Sequence, residues 1–431
     1  MIMKKIISTL LSLVLVIGML PIMASADEVT PAWDGTAAES FAGGAGTKSD
    51  PWQIETAAQL KLASDTVNAQ FKDYFFILNN DIDYENQQWA PIGHSNASNS
   101  TFFRGGFDGN EHIVKNLKVN YNESVPYTYC GFFGLAKNVT ITDLGIENLQ
   151  IDISNPSTSD LRARYIGGFA ATLRGNSTVD NCYIKNSTVS QPTGNCEYVG
   201  VSAFVNVIHC DGDGDPKITN CYAYDVHITP GYQRVATGFV AKLTGNTATL
   251  TNCYTANIHP VQGRTLYPFG YMGSNTAYSE TYATLQHCYS ASAAFEAPTN
   301  GGGNALSETS KFGTEVQIAS QINETLKDLN GWQDGTYING GFPALAWEKV
   351  PIEVKDFADG AVTLEVNKAI DGAKVYVAAY DGTTGRLISA DVADVATTVP
   401  VNVTTTGATI VKVFVWDADL TPLADAISKP L

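Results

Sequence analysis

Short runs of alternating apolar and polar residues recur along the middle of the chain. One run is Thr178-Val179-Asp180-Asn181-Cys182-Tyr183-Ile184, and shorter versions end in Cys221-Tyr222, Cys253-Tyr254 and Cys288-Tyr289. Successive cysteines in these runs are 39, 32 and 35 residues apart. A period of two, rich in Val, Ile, Thr and Tyr, predicts strands of about four to six residues. The fixed motif predicts a stacked repeat, because one such unit is too small to bury its own apolar face.

Each run follows a short aromatic segment, which in successive copies is Gly167-Gly168-Phe169-Ala170, Ser202-Ala203-Phe204-Val205 and Gly238-Phe239-Val240-Ala241. No helical spacing runs through the copies, which argues against a helical solenoid. We therefore predict an all-β protein built on a right-handed parallel β-helix. Equivalent positions of successive coils would then lie about 4.8 Å apart.

This architecture assigns a direction to each repeated side chain. We expect Cys182, Cys221, Cys253 and Cys288 to form an inward column of thiols. Neighbouring residues of a strand point to opposite faces, so Tyr183, Tyr222, Tyr254 and Tyr289 should form an outward column. The Asn that precedes three of these cysteines is expected at a turn, where Asn tolerates left-handed backbone. His287 stands in the Asn position of its copy and is interpreted as a turn variant.

The segments on either side of the repeat region have different hydrophobic patterns. Apolar residues in Thr56 to Asn68 predict a helix, to which we assign the role of an N-terminal cap over the exposed end of the β-helix. Gln317 to Leu329 is also predicted to be helical, and Trp332 to Trp347 is expected to plug the second end. From Val350 onward, period-two strands and the Asp381-Gly382 turn signal predict a small antiparallel, immunoglobulin-like β-sandwich.

Three segments near the start carry a resemblance to a known family. They are Asp50-Pro51-Trp52-Gln53-Ile54, Leu78-Asn79-Asn80-Asp81-Ile82 and Phe103-Arg104-Gly105-Gly106-Phe107-Asp108-Gly109-Asn110. With Gly341-Phe342-Pro343-Ala344-Leu345-Ala346-Trp347, they resemble the start and end of the module in bacterial secreted proteins with GLUG-type repeats. The resemblance implies a right-handed β-helix over about residues 50 to 350, and it does not by itself imply an active site. The C-terminal strands resemble an accessory domain of secreted clostridial-type proteins.

The first 26 residues predict a secretory signal peptide. Lys4 and Lys5 precede an apolar stretch, and Ala24-Ser25-Ala26 forms a small-residue cleavage site. No later apolar run has the roughly 18 residues that span a bilayer. We therefore predict a secreted, extracellular or cell-surface protein with four parts: signal peptide 1–26, N-terminal loop segment 27–50, β-helix 51–350 and β-sandwich 351–431.

Seven cysteines remain in a chain that is predicted to be exported, so at least one of them is unpaired. For the four in the repeats we favour buried thiols, because parallel Cβ vectors on adjacent coils suit a disulfide poorly. Cys196 and Cys210 form the candidate disulfide pair.

The net charge of the chain disfavours polyanionic partners. Lys and Arg total 26 against 43 Asp and Glu, a net charge of −17. Such a surface repels nucleic acid and anionic membranes. The expected partner is an extracellular glycan or a host or bacterial surface protein.

Candidate chemistry is sparse. Asp211, Asp213 and Asp215 have the first three spacings of a calcium loop, but Pro216 and Tyr222 break the EF-hand pattern. We therefore consider these three residues as ligands in a calcium loop of another kind, against the alternative of an acidic loop inserted between coils. Calcium is the only cofactor that the sequence suggests. Asp81 and Asp83 are the candidate carboxylate pair, against the alternative of turn chemistry. The four outward tyrosines are the candidate glycan-stacking residues, against the alternative of self-stacking that stabilises the coil.

These observations predict a non-enzymatic protein for adhesion or for glycan or protein recognition. The alternative is a carbohydrate-active enzyme, a polysaccharide lyase or glycoside hydrolase, with a groove on the β-helix.

Overall fold

The repeat region folds as a solenoid of parallel strands. The structure, a computed structural model, describes residues 33–431 except 71, 96–99, 121–128, 154–164, 192–200, 211–213, 231–235, 245–247, 261–265, 268–282, 292–303, 307–310, 314–321, 323–324, 328, 359–360, 368–369, 371, 419–421 and 425. The predicted signal peptide and Cys196 thus lie outside the described residues, and the Cys196–Cys210 pair stays a prediction.

The first strand and the first helix open the solenoid. Trp52–Ile54 pairs in parallel with Asp73–Leu78, and the helix Ala57–Ala69 connects them. Thr56 caps the helix, because its hydroxyl accepts a hydrogen bond from Gln59 N at 3.3 Å. Leu60, Ala63 and Val67 are buried on one face. The predicted helix is confirmed to within one residue at each end.

Two long strands then set the register of the coils. Asp73–Leu78 pairs with Phe103–Lys115, which pairs with Phe133–Glu147; both pairings are parallel. Ile82–Asp83 also pairs with Phe103–Lys115. His94–Ser95 and Ser100–Thr101 form a small antiparallel pair beside them.

Beyond Phe133–Glu147 the strands stack in parallel ladders. One ladder contains Ala170–Arg174, Val205–His209 and Val240–Thr244. A second contains Thr178–Asp180, Lys217–Thr219, Ala248–Thr251, Ala283–Gln286 and Asn304–Leu306. A third contains Tyr183–Ser190, Tyr222–Thr229, Tyr254–Pro260, Tyr289–Ala291 and Lys311–Gly313, with Lys118–Asn120 and Gln150–Asp152 at its start. A fourth contains Tyr129–Cys130, Tyr165–Gly167, Val201–Ser202, Ala236–Thr237 and Leu266–Tyr267. These pairings confirm the predicted parallel β-solenoid.

The interior follows the repeated motif. Cys182, Cys221, Cys253 and Cys288 are completely buried, as predicted. Each thiol lies within hydrogen-bonding distance of the carbonyl two residues earlier; Cys221 Sγ, for example, lies 3.0 Å from Thr219 O. Phe169, Phe204 and Phe239 are also buried and stack with ring centroids 4.5 and 4.6 Å apart.

Left-handed residues mark two corners of successive coils where the structure describes them. The first corner holds Asp143, Asn181, Asn220, Asn252 and His287, with φ between 50° and 58°. Their side chains bond from coil to coil; Asn252 Nδ2 donates to Asn220 Oδ1 at 3.0 Å. The predictions for the turn Asn residues and for His287 are confirmed. The second corner holds Asn116, Asn148, Asn186, Asp225 and Asn257, with φ between 51° and 60°, and it was not predicted.

Two antiparallel sheets follow the solenoid. One contains Ile352–Ala358, Ala361–Val366 and Thr398–Pro400. The other contains Arg386–Asp394, Lys374–Asp381, Ile410–Trp416 and Ile427–Pro430. Val362, Val377, Val399 and Val413 belong to one apolar core that the two sheets share. The predicted turn at Asp381-Gly382 joins two neighbouring strands of the second sheet.

Candidate functional site

The predicted tyrosine ladder exists, but it is not exposed. Tyr183, Tyr222, Tyr254 and Tyr289 occupy equivalent positions of adjacent strands and are at most 3% exposed. The rings of Tyr222 and Tyr254 are stacked, with centroids 4.9 Å apart. The ladder begins over Gly145, where a Cβ would lie 2.5 Å from Tyr183 Cζ. The prediction that these phenols face solvent is wrong.

A later part of the chain covers the ladder. Trp332–Gln333 and Ala344–Leu345 form an antiparallel pair within residues 332–348, here called the cover segment. Trp347 stacks on Tyr183 at 5.4 Å between ring centroids, and Phe342 stacks on Tyr254 at 6.1 Å. The helical residues Ile322 and Leu326 belong to the same apolar cluster. The cover segment therefore packs on the outer face of the tyrosine ladder, instead of plugging the end as predicted.

Buried charges fix the cover segment in place. Glu348 Oε2 lies 2.7 Å from Lys185 Nζ, and Tyr222 OH donates to the Glu348 carboxylate at 2.7 Å. Glu147 lies 3.3 Å from the same ammonium and accepts a hydrogen bond from Tyr183 OH at 2.8 Å. Burial lowers the pKa of Lys185, but the Glu348 and Glu147 carboxylates outweigh burial and raise it above its ordinary value. A ligand could reach the tyrosine ladder only if the cover segment left it.

We expect alkaline pH to release the cover segment. Burial and then the Glu348 carboxylate raise the pKa of Tyr222 and of Tyr254 well above the ordinary phenol value, and burial with Glu147 and Glu348 does the same for Tyr183. A group whose pKa is higher in the folded than in the unfolded protein contributes its full stability below the unfolded-state pKa. This contribution disappears as the pH rises through the folded-state pKa. Stability should therefore fall above about pH 10, the ordinary phenol pKa.

The measurement is a spectrophotometric titration of phenolate absorbance alongside near-ultraviolet circular dichroism. At least three phenols should titrate only together with loss of the tertiary signal. Ionisation of all the tyrosines near the ordinary phenol pKa, with the tertiary signal intact, would contradict this arrangement.

The predicted carboxylate sites serve the fold where the structure describes them. Asp81 Oδ1 accepts a hydrogen bond from Ile113 N at 3.1 Å and contacts His112 Nδ1 at 3.0 Å. Asp83 Oδ1 accepts from Glu85 N and from Asn116 Nδ2. Burial raises the pKa of Asp83, but these bonds and Lys115 more than compensate and lower it overall. Both carboxylates thus fit the turn alternative.

The proposed calcium ligands are only partly described. Asp215 is exposed, whereas Asp211 and Asp213 lie outside the described residues. Calcium binding by this loop therefore stays a prediction.

A polar groove, which was not predicted, lies on the third ladder. It has a volume of about 440 Å³. The second left-handed corner supplies its asparagines, and outward strand positions supply the other polar side chains. The polar lining consists of Asn116, Asn148, Asn186, Gln150, Asp152, Thr188 and Ser190. Asn148 Nδ2 donates to Asn116 Oδ1 at 3.2 Å, so two of these amides are bonded to each other across adjacent coils.

The register explains how the groove is built. Gln150 pairs with Thr188, and Asp152 pairs with Ser190, on adjacent parallel strands. Gln150, Asp152 and Thr188 are exposed, and Ile151 and Val189 between them are buried. Regular outward Gln, Thr and Asn positions could have revealed this groove in the sequence, but their spacing varies because loops of different length separate the strands.

Comparison with known proteins adds little to this site. No known family profile matches the chain. A protein of Evansella cellulosilytica named "Putative Gly-rich membrane protein" is 33% identical over 114 residues, covering 24% of this chain and 12% of that protein. The chain therefore spans only a small part of that relative's length. Within the described ranges, every helix falls short of the length or apolarity that crossing a bilayer demands.

Proposed function

We propose that the protein is a secreted, non-enzymatic bacterial recognition protein that binds an extracellular glycan in the polar groove. The observation that carries the proposal is the set of amide and hydroxyl groups held on adjacent, hydrogen-bonded coils. Asn, Gln, Ser and Thr side chains provide both donors and acceptors, as sugar hydroxyl groups require. A chain lying across the coils would meet similar groups about every 4.8 Å.

The composition of the groove supports a neutral or cationic glycan rather than a polyanion. Its described lining contains one carboxylate, Asp152, and no cationic side chain. The net charge of −17 also disfavours binding of a polyanionic glycan. Ile151, the apolar residue of the described lining, is itself buried, whereas a typical protein–protein interface has an apolar centre. Adhesion through such a glycan would follow from this binding.

The proposal retains the finer architecture that the sequence predicted. It includes the signal peptide, the boundaries 27–50, 51–350 and 351–431, the right-handed GLUG-type solenoid and the immunoglobulin-like form of the last two sheets. It also includes the capping role of the helix Ala57–Ala69. Hydrogen bonds from Ser64 Oγ to Ala90 O and from Asn68 Nδ2 to Pro91 O support that role, since they attach the helix to the following coil.

The test is a glycan array followed by titration of any glycan that binds, using the wild-type protein and Gln150→Ala/Thr188→Ala. Each lost hydrogen bond is worth about 1 kcal/mol. We therefore expect the double variant to bind about tenfold or more weakly.

Thr140→Ala is the matched control, because Thr140 is also exposed on a solenoid strand but belongs to a different ladder from the groove. It should bind as the wild type does. Absence of any glycan ligand, or equal affinity of the double variant and the wild type, would refute the proposal.

A further inference from the structure

Two histidines occupy equivalent positions on the third ladder. His227 in Tyr222–Thr229 pairs with His259 in Tyr254–Pro260. Both side chains are exposed, and their rings stack with centroids 4.5 Å apart and an angle of 22° between planes. The parallel strands therefore hold two imidazoles side by side on the surface of the solenoid.

A carboxylate completes the group at the second left-handed corner. Asp225 has φ of 51°, and the equivalent residues of the flanking coils are Asn186 and Asn257. Its Oδ1 lies 3.0 Å from His259 Nε2. One potential ligand atom from each of Asp225, His227 and His259 lies within 4.8 Å of the others.

We propose that Asp225, His227 and His259 form a binding site for a divalent late transition-metal ion such as Zn²⁺. Two imidazole nitrogens and a carboxylate oxygen are a ligand set that these ions prefer. Ligands about 2.0–2.1 Å from a tetrahedral zinc ion lie about 3.3 Å from one another. The 3.0 Å separation of Asp225 Oδ1 and His259 Nε2 is close to this distance. Small rotations of the exposed His227 side chain close the remaining gap, and water completes the coordination.

His112 and Asp81 form a simpler His–carboxylate contact than the proposed three-residue site. His112 Nδ1 lies 3.0 Å from Asp81 Oδ1, as in the Asp225–His259 pair. The Asp81 oxygen also accepts a hydrogen bond from Ile113 N, and the described residues bring no second histidine to it. A two-ligand arrangement of this kind binds an ion weakly, so His112 is the matched control.

The experiment is isothermal titration of the full-length mature protein with Zn²⁺, accompanied by Co²⁺ absorption spectra. We expect one ion per chain for the wild type. His227→Ala, His259→Ala and Asp225→Asn should each weaken Zn²⁺ binding by at least about tenfold and remove the Co²⁺ ligand-field bands. Asp225→Asn introduces the residue that the flanking coils carry at this corner, so the turn itself should persist. Circular dichroism and thermal unfolding without metal check that each variant is folded.

His112→Ala should bind Zn²⁺ as the wild type does. Two results would overturn the proposal: no stoichiometric Zn²⁺ binding by the wild-type protein, or binding that is undiminished in the His227→Ala/His259→Ala double variant. The groove variant Gln150→Ala/Thr188→Ala should retain full Zn²⁺ affinity, which separates this site from glycan recognition.

Discussion

Replacing Glu348 by alanine is expected to destabilise the protein by about 3–5 kcal/mol, because it leaves the Lys185 ammonium buried without its nearest partner. The side chains of Lys185 and Glu348 are 10% and 2% exposed. Glu348 also accepts hydrogen bonds from Tyr222 OH and from Leu345 N. Alanine would therefore leave several buried donors unsatisfied at once. Urea unfolding monitored by tryptophan fluorescence measures the change, since Trp332 and Trp347 lie in the cover segment.

The exposed ion pair between Glu353 and Lys355 provides the control, and Glu353→Ala should cost less than about 1 kcal/mol. A double-mutant cycle with Lys185→Met and Glu348→Gln tests the cause. The double variant should be more stable than the sum of the single changes predicts, because both single changes break the same Lys185–Glu348 pair. A loss below about 1 kcal/mol for Glu348→Ala would show that the charge network does not hold the cover segment.

Phe204→Ala is expected to cost about 3–5 kcal/mol through loss of a fully buried ring. Phe204 lies between Phe169 and Phe239, with centroids 4.5 and 4.6 Å away, and its side chain is inaccessible to solvent. The parallel strands on either side limit how far the cavity can collapse. Each coil depends on its neighbours for burial, so the defect should weaken both adjoining coils.

Thermal and urea unfolding of Phe204→Ala, Phe204→Leu and Leu387→Ala measure this effect. Phe204→Leu should lose less than Phe204→Ala, because more of the volume stays filled. Leu387 is 52% exposed, and its removal should change stability by less than about 0.5 kcal/mol. Equal stability of Phe204→Ala and Leu387→Ala would contradict a packed solenoid interior.

The sequence predicted the repeat geometry well because that geometry is local. Within the run Asn181-Cys182-Tyr183, left-handed Asn makes the corner, Cys182 points inward and Tyr183 points outward. Alternation along a strand fixes these directions without knowledge of the rest of the chain. Recurrence of the run at Cys221, Cys253 and Cys288 then indicated that the strands stack in register.

The same reasoning failed for the environment of the tyrosines. Direction relative to the strand does not determine exposure, because a segment from elsewhere can pack on an outer face. Lys185 and Glu348 are 163 residues apart, and no periodic pattern connects them. The aromatic residues Trp332, Phe342 and Trp347 were visible in the sequence, but their partner surface was not.

By itself, the sequence determined the parallel solenoid, the thiol column, the turn asparagines and the later antiparallel strands, since each depends on neighbouring residues or on one repeated motif. Only the tertiary structure decided that the cover segment buries the tyrosine ladder. It also decided that Gln150 faces Thr188 in a polar groove and that His227, His259 and Asp225 meet. The physical reason is that loops of unequal length set which residues of successive coils become neighbours, and stacking of the coils fixes that register only in the folded chain.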